Sequence, residues 1–248
     1  MSQKISVIIP AKDEAKSIGK LISRTKMALS DYEVEIIVID DGSEDETKGV
    51  ANNYGVMVIS HTETQGKGAA MKTGANAASG DILVFLDGDG AHMPEDIPNM
   101  LSPVLQNKAD LVVGSRSFRD SKTFSSYMPR IVTNKLASFM TSVIAFLLLP
   151  LVTFFKYPAK WIAVEDAECG FKVIRKEKWQ RLNLTSQGFE IESEIIYEVA
   201  KNRFIISNVP IDCDWTCKVS RLSILQDGFR TLRLLFGKLI GDMRGKNN

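Results

Sequence analysis

The chain has 248 residues, 44% hydrophobic and 25% charged, an ordinary globular composition that permits one large α/β domain or two small ones. With 31 basic and 30 acidic side chains the formal charge is +1, which excludes a global field for nucleic acid and leaves any attraction for anions to local clusters. Cys169, Cys213 and Cys217 are odd in number and lack a second Cys or His pair at zinc-ligand spacing, which argues against a disulfide framework or a zinc site and fits a reducing cytoplasm.

The opening MSQKISVIIPAKDE passes from a short polar lead straight into a strand-like run. It has no long apolar core or small-residue cleavage site, so a chain that stays in the cytoplasm is expected. Short β-branched runs then alternate with helical patterns. ISVII (5 to 9) precedes a helix with Ile18, Leu21, Ile22 and Leu29 on one face; VEIIVID (34 to 40), VMVI (56 to 59) and DILVFLD (81 to 87) follow, each pair separated by a helix. Continuous apolar strands joined through helices imply a parallel sheet covered on both faces, with ligands at the carboxyl ends of the strands. The tails found there are PAKDE, DDGS, TQGKG and DGDG, all polar, acidic or glycine-rich.

After DLVVGSR (110 to 116) the alternation gives way to a basic, serine-rich stretch and then to the apolar run Leu136 to Phe155. That run approaches membrane-spanning length, but Pro150 interrupts it and motifs lie on both sides, so a segment in the membrane interface or a buried helix is expected rather than a span. EDAECGFKVIRKE (165 to 177), a helix at 190 to 201 and a strand-like FIISNVPI (204 to 211) come next. The last segment places Leu225, Phe229, Leu232, Leu235, Phe236 and Leu239 on one helical stripe, with Arg221, Arg230, Arg233 and Lys238 around it.

In FLDGDGAHM an apolar run ends in Asp87 and Asp89, one glycine apart. Exposed carboxylates that close repel unless a cation lies between them. On an extended chain the two share a side, and magnesium or manganese takes one or two protein carboxylates and completes its shell with water and substrate phosphates. A solvated Asp-Gly turn is the alternative; position among the other polar tails favours the metal. Asp40 and Asp41 close the second strand, and either is a candidate acceptor for ribose hydroxyls or a base N–H. SEDE (43 to 46) has the form of a capping box, so Ser43 and Glu46 are expected to start the next helix.

QGKGAAMKTG (65 to 74) is not a dinucleotide fingerprint, because Met71 stands where a third glycine belongs, and not a Walker loop, because Lys72 and Thr73 follow Met71. Gly66 and Gly68 still let backbone approach a ligand, and Lys67 can neutralise phosphate; a simple helix entry is the competing reading. Arg116, Arg119, Lys122, Arg130 and Lys135 cluster before the apolar run. Guanidinium groups bind phosphate bidentately, so an anionic lipid headgroup is the natural partner, with Lys218, Ser220 and Arg221 adding to it; a solvated face is the alternative. His61 and His92 are poorly placed to serve a Ser or Cys nucleophile, and His92 reads as structural.

VIIPAKDEAKSI, IIVIDDGSEDET, GKGAAMKTG, FLDGDG, VVGSR, DAECGFKVIRKE and VPIDCDWTCKVSRL run in order from about Ile5 to Asp242. Together they resemble the family 2 nucleotide-sugar glycosyltransferases of the GT-A fold, and more narrowly the polyprenyl (dolichyl) phosphate hexose synthases. The resemblance implies an α/β, Rossmann-like GT-A domain over 1–217, with a mainly parallel sheet flanked by helices and an interface segment at 136–155. A basic amphipathic membrane-interface helix over 218–248 would follow. It implies that Pro10, Asp13 and Glu14 with Asp41 hold the nucleoside, and that Asp87 and Asp89 bind Mg2+ or Mn2+; Gly66 and Lys67, the candidate phosphate contacts, and Asp87 complete the expected nucleotide site. Arg116, Arg130 and Asn134 would surround the acceptor phosphate, and Asp89, Arg116 and Arg130 would carry catalysis.

Two departures bear on the sugar. Lys12-Asp13-Glu14 replaces the usual aromatic-Asn-Glu, and Ala91 stands where mannosyl-type synthases tend to carry a metal-binding Gln. DGDGA and the DWT at 214 to 216 look more like the dolichyl-phosphate glucose type, which uses UDP-glucose. The expected reaction is an inverting single displacement. A lipid phosphate is already anionic near neutral pH, so it attacks without a dedicated base, and the protein positions it and stabilises the departing nucleoside diphosphate. The expected partners are a UDP-hexose, polyprenyl or dolichyl phosphate and the cytoplasmic face of a membrane, with no nucleic acid. The rival readings are a mannose synthase using GDP-mannose, a soluble glycosyltransferase with a non-lipid acceptor, and a noncatalytic nucleotide-sugar binding module.

Overall fold

The computed structural model describes residues 3–116, 139–148, 164–214 and 224–243. Its strands are β1 (Ile5–Ala11), β2 (Val34–Asp40), β3 (Met57–Ser60), β4 (Ile82–Phe85), β5 (Leu111–Arg116), β6 (Lys172–Arg175) and β7 (Ile206–Ile211). Helices α1 (Ile18–Ala28), α2 (Thr47–Asn53), α3 (Lys67–Ala77) and α4 (Ile97–Leu105) connect the first five strands; α5 (Lys176–Trp179), α6 (Ile191–Lys201) and α7 (Ile224–Met243) come later, after a π-helical segment at Val143–Leu148.

One sheet holds all seven strands in the order β3-β2-β1-β4-β6-β5-β7. The centre is parallel, with Ile5 of β1 opposite Val34 on one side and Ile82 on the other. Ile5, Val7, Ile8 and Ile9, Ile37 to Ile39 and Ile82 to Phe85 are buried almost completely, which explains the unbroken apolar runs. Each such side chain contributes about 1.5–3 kcal/mol relative to exposure. Ile18, Leu21, Ile22 and Leu29 are buried as their spacing predicts. At Gly74 a Cβ would collide with Ile8 and stand 3.2 Å from Ile39 Cγ1, so glycine lets α3 lie directly on the sheet.

The order of strands reverses between β1 and β4, and a crevice at the carboxyl ends of a sheet is expected at such a point. The tips of β1, β2 and β4 therefore converge, as anticipated. One element was not anticipated and three local expectations need correction. First, β6 is an antiparallel strand between β4 and β5, in a segment whose secondary structure the sequence pattern left undefined. Its first residue, Lys172, is fully buried, and a four-residue strand with a charge at each end does not read as core. Second, β4 stops at Phe85, so Asp87 and Asp89 sit in the turn beyond it and strand alternation does not orient them.

Third, Ser43 and Glu46 form no capping box: α2 starts at Thr47 with no side-chain cap bond from Glu46. The Ser43 hydroxyl instead accepts the Asp13 N–H at 2.9 Å. Fourth, the apolar stripe of α7 is split. Leu235 and Leu239 face inward with Thr231 and Asp242, whereas Phe229, Leu232, Phe236 and Ile240 are exposed. Lys238 is drawn inward as well, 3.0 Å from Glu194 and 2.7 Å from Glu198 of α6. The Tyr197 hydroxyl and Lys201 both donate to Asp242 at 2.8 Å, completing the α6–α7 contact. No helix among the described residues is long and apolar enough to cross a membrane.

Candidate active site

Beyond β1 the chain turns through Asp13, which adopts a left-handed φ of 49°. Neutral donors hold this turn against the tip of β2. Asp13 N donates to Ser43 Oγ at 2.9 Å and the Asp13 carboxylate accepts Glu44 N at 2.8 Å. Glu14 N donates to Thr47 Oγ1 at 2.7 Å, and Ala15 N donates to Asp45 at 3.1 Å. Ser17 Oγ links the same turn to the β4 tip by donating to Gly88 O at 2.9 Å. Pro10, the penultimate residue of β1, accepts Gly88 N through its carbonyl at 3.2 Å.

Asp41 is 5% exposed and gathers the loop after β3. Its Oδ1 accepts Gln65 N at 2.9 Å and lies 2.6 Å from His61 Nδ1, while Oδ2 accepts Gly66 N at 2.8 Å. In this arrangement Asp41 organises the loop that leads into α3. Gly66 has φ 100°, and a Cβ there would stand 2.5 Å from Gln187 O; at Gly68 it would stand 2.7 Å from Ser186 O. The close backbone approach that these glycines permit is thus to the 186–188 segment.

Lys67, the first residue of α3, reaches across the crevice to Asp87 Oδ1 at 2.6 Å and to Glu192 Oε1 at 2.7 Å. Glu192, on the first turn of α6, also pairs with Lys172, which in turn donates to the carbonyls of Ala167 and Cys169. That turn carries Gly170, whose Cα lies flat against Asp87: a Cβ would come within 2.5 Å of Asp87 Oδ1. A closed ring results, from Asp87 through Lys67, Glu192 and Lys172 back to Gly170 and Asp87. Burial pulls the Asp87 carboxyl up, but Lys67 outweighs it and holds the group down at about 2, firmly ionised. Burial likewise works against the Lys67 charge, and Asp87 and Glu192 override it and raise its pKa. Asp89 Oδ1 accepts Ala91 N at 2.9 Å within the turn.

The segment after β7 lines this turn. Asp214 N donates to Ala91 O at 2.8 Å, and His92 bridges to Cys213. His92 is 3% exposed, its Nε2 lies 3.7 Å from Cys169 Sγ, and burial depresses its pKa against the pull of Asp87 and Asp89. It is a neutral, packed ring, as its sequence context suggested. Burial pushes the Cys169 and Cys213 thiols up to about 12, so neither is a nucleophile.

Arg116, the last residue of β5, is clasped by Asp166: Nε donates to Oδ2 at 2.5 Å and an Nη to Oδ1 at 2.7 Å. Burial opposes the guanidinium charge, and Asp166 more than restores it. Arg130 and Asn134, expected around an acceptor phosphate, lie outside the described residues, as do Lys218, Ser220 and Arg221. The same holds for Arg119, Lys122, Lys135 and most of the apolar run 136–155. Sequence reasoning missed Glu192, Lys172, Gly170 and Asp166. A signal existed for Glu192: the helix 191–200 is apolar around most of its circumference, so its acids must be buried and must find cations.

Asp87 and Asp89 are the residues that could hold a divalent ion. Two carboxylates suit magnesium or manganese, which draw their remaining ligands from water and phosphate, and the close packing of Gly170 fixes where the Asp87 carboxylate sits. Among the described residues there is no group of three or more His, Cys, Asp or Glu able to cage a metal.

Comparison with known proteins gives this geometry a context. The sequence profile described as Glycosyl transferase family 2 matches residues 6–182. The dolichol-phosphate mannosyltransferase of Pyrococcus furiosus is 33% identical over 197 residues, which are 78% of this chain and 52% of that protein. The UDP-N-acetylglucosamine--dolichyl-phosphate N-acetylglucosaminyltransferase of Methanococcus voltae is 30% identical over 263 residues, 95% of this chain and 98% of that protein. The chain thus spans about half the length of the first relative and nearly all of the second. Glucosyl-3-phosphoglycerate synthase from Mycobacterium tuberculosis, solved in complex with Mn2+, UDP and phosphoglyceric acid, shares the fold. Its TM-score is 0.68 at 23% identity, with 97% of this chain and 78% of that one covered.

Proposed function

The chain belongs to glycosyl transferase family 2, and from that premise we propose that it transfers a hexose from a nucleotide sugar to polyprenyl or dolichyl phosphate. The observation that carries the reading is the acid pair at the tip of β4. Asp87 is held ionised and Asp89 stands beside it where the strand order reverses, in a chain that aligns along nearly its whole length with a dolichyl-phosphate sugar transferase. A UDP-hexose is the proposed donor. The Methanococcus relative's UDP sugar supports the nucleotide, and the DGDGA and DWT segments favour glucose.

Asp87 and Asp89 would hold Mg2+ or Mn2+, in keeping with the Mn2+ and UDP of the mycobacterial synthase. When bound, such an ion supplies Lewis-acid stabilisation to a departing diphosphate. The rest falls to the chain itself. The 13–15 turn and the 61–66 loop are set rigidly by backbone hydrogen bonds, so Pro10, Asp13, Glu14 and the Asp41-ordered loop shape one wall of the nucleotide crevice. Arg116, moderated by Asp166, would hold the acceptor phosphate with Arg130 and Asn134 without quenching it as a nucleophile. An anionic phosphate needs no general base, so single displacement with inversion follows.

The exposed Phe229, Leu232, Phe236 and Ile240 of α7, with exposed Arg230 and Arg233 between them, support attachment to the cytoplasmic face of a membrane without a span. The test is to incubate the protein with Mn2+ or Mg2+, short-chain polyprenyl phosphate and separately labelled UDP-glucose, UDP-N-acetylglucosamine and GDP-mannose, then extract the lipid. Label in the lipid from a UDP sugar, lost on adding a chelator, is expected. Label from GDP-mannose alone overturns the choice of nucleotide, and no labelled lipid from any donor overturns the acceptor.

A further inference from the structure

Lys67 is a lysine where an incoming divalent ion would compete with it. Its ammonium bridges Asp87 and Glu192, at 2.6 and 2.7 Å, and its side chain is only 11% exposed. Glu192 is itself buried, and its second oxygen is committed to Lys172, whose remaining bonds go to the Ala167 and Cys169 carbonyls. The two lysines pair with the two acids, so Asp87 already has a cation partner when no metal is bound. An ion that binds Asp87 must therefore displace an ammonium from it, and the displaced ammonium already has a second carboxylate within contact distance.

We infer that metal binding at Asp87 is an exchange of cations, in which Lys67 occupies and orients the carboxylate of the empty site and withdraws onto Glu192 when a divalent ion arrives. Lys67 and Glu192 are then positioning residues with opposite effects on metal affinity. Lys67 competes with the ion, so its charge weakens binding. Glu192 gives the ammonium somewhere to go and lends negative charge to the site, so it strengthens binding. A purely structural role for the ring would weaken metal binding in both cases. This inference rests on the proposed ion at Asp87 and Asp89.

The experiment is a direct titration of Mn2+ followed by its electron paramagnetic resonance signal, without donor or acceptor, on the full chain. Lys67→Met keeps the aliphatic stem, and Lys172 still compensates Glu192; Mn2+ should bind about tenfold more tightly than to the wild type. Glu192→Gln leaves Lys172 on its two carbonyls and Lys67 on Asp87 alone; Mn2+ should bind about tenfold more weakly. Lys67→Arg, which keeps the charge, should stay within about twofold of the wild type. Asp89→Asn should remove most of the signal and so assign it to this site. Unchanged or weaker binding in Lys67→Met overturns the exchange, as does tightening in Lys67→Arg equal to that in Lys67→Met. If Lys67→Met does not fold, Lys67→Gln takes its place in the same titration, with tighter binding expected and unchanged or weaker binding overturning the inference. Failure of the wild type to bind Mn2+ overturns the metal reading together with the exchange, whereas binding that ignores both substitutions overturns the exchange only.

Discussion

Asp41 at the tip of β2 and Asp87 at the tip of β4 flank the same central strand, yet their partners differ in kind. Asp41 is satisfied by two backbone N–H groups and the His61 ring, and its neighbours Asp13 and Asp45 are held by N–H and hydroxyl groups in the same way. Asp87 is satisfied by an ammonium, which leans in turn on a second acid. Backbone donors cannot leave, so the β2 side is fixed in shape before any ligand arrives. A lysine can change partners, so the β4 side can trade one charge for another. Carboxylates on the two sides of one strand, the Asp41 side chain 7% exposed and the Asp87 side chain 26%, thus serve two ends: one side supplies a rigid wall, the other an adjustable charge.

A substitution that touches only the β4 side should separate the two. Gly170→Ala puts a methyl group against the Asp87 carboxylate and must push it aside. Because a displacement of about 1 Å at a reacting centre costs about 10²-fold, kcat/KM for sugar transfer should fall by that order, while overpacking the buried turn should cost about 1–3 kcal/mol and leave the chain folded at assay temperature. A loss of stability that accounts for the whole fall in activity would erase the distinction between the two sides. The reciprocal change is Asp41→Asn. An amide accepts through one oxygen only and turns N–H groups toward Gln65 N or Gly66 N, leaving a buried donor unsatisfied. The expected cost is about 1–3 kcal/mol of stability in denaturant titration, with Mn2+ affinity unchanged. Altered Mn2+ binding in this variant would show that the β2 wall and the Asp87–Asp89 pair are not independent.

The same contrast explains what could be read from the sequence. The β2 side was legible because its parts are local: VEIIVID ends as a strand at Asp40, and the acidic and glycine-rich tails converge as strand order requires. Where a local motif misled, as at SEDE, the donors that a capping box would satisfy were outbid by a neighbouring loop; Ser43 serves Asp13 instead. The β4 side was legible only in Asp87, Asp89 and Lys67. Glu192 reaches it from the other end of the chain, and Lys172 hides in a strand whose burial depends on that glutamate. A charge looks like surface until its partner is known, and the partner is set by topology. Arg116 was found as a phosphate ligand candidate, but its clasp by Asp166, 50 positions away, could not be.

The C-terminal helix extends the comparison beyond the site. Its inner stripe is held by ion pairs to α6, through Lys238 on Glu194 and Glu198 and through Asp242 on Lys201, so its exposed apolar residues are not needed to keep it in place. Phe236→Glu therefore should change stability by no more than about 0.5 kcal/mol, as surface substitutions usually do. If the outer face meets a bilayer, the same substitution removes apolar contact and adds a negative charge next to anionic headgroups. Flotation with vesicles containing anionic lipid should then fall several-fold while transfer to a short-chain, water-soluble acceptor is retained. Equal flotation of the two proteins would mean that the outer face of α7 makes no contact with lipid, and that the exposed stripe is ordinary surface around a helix fixed by charge.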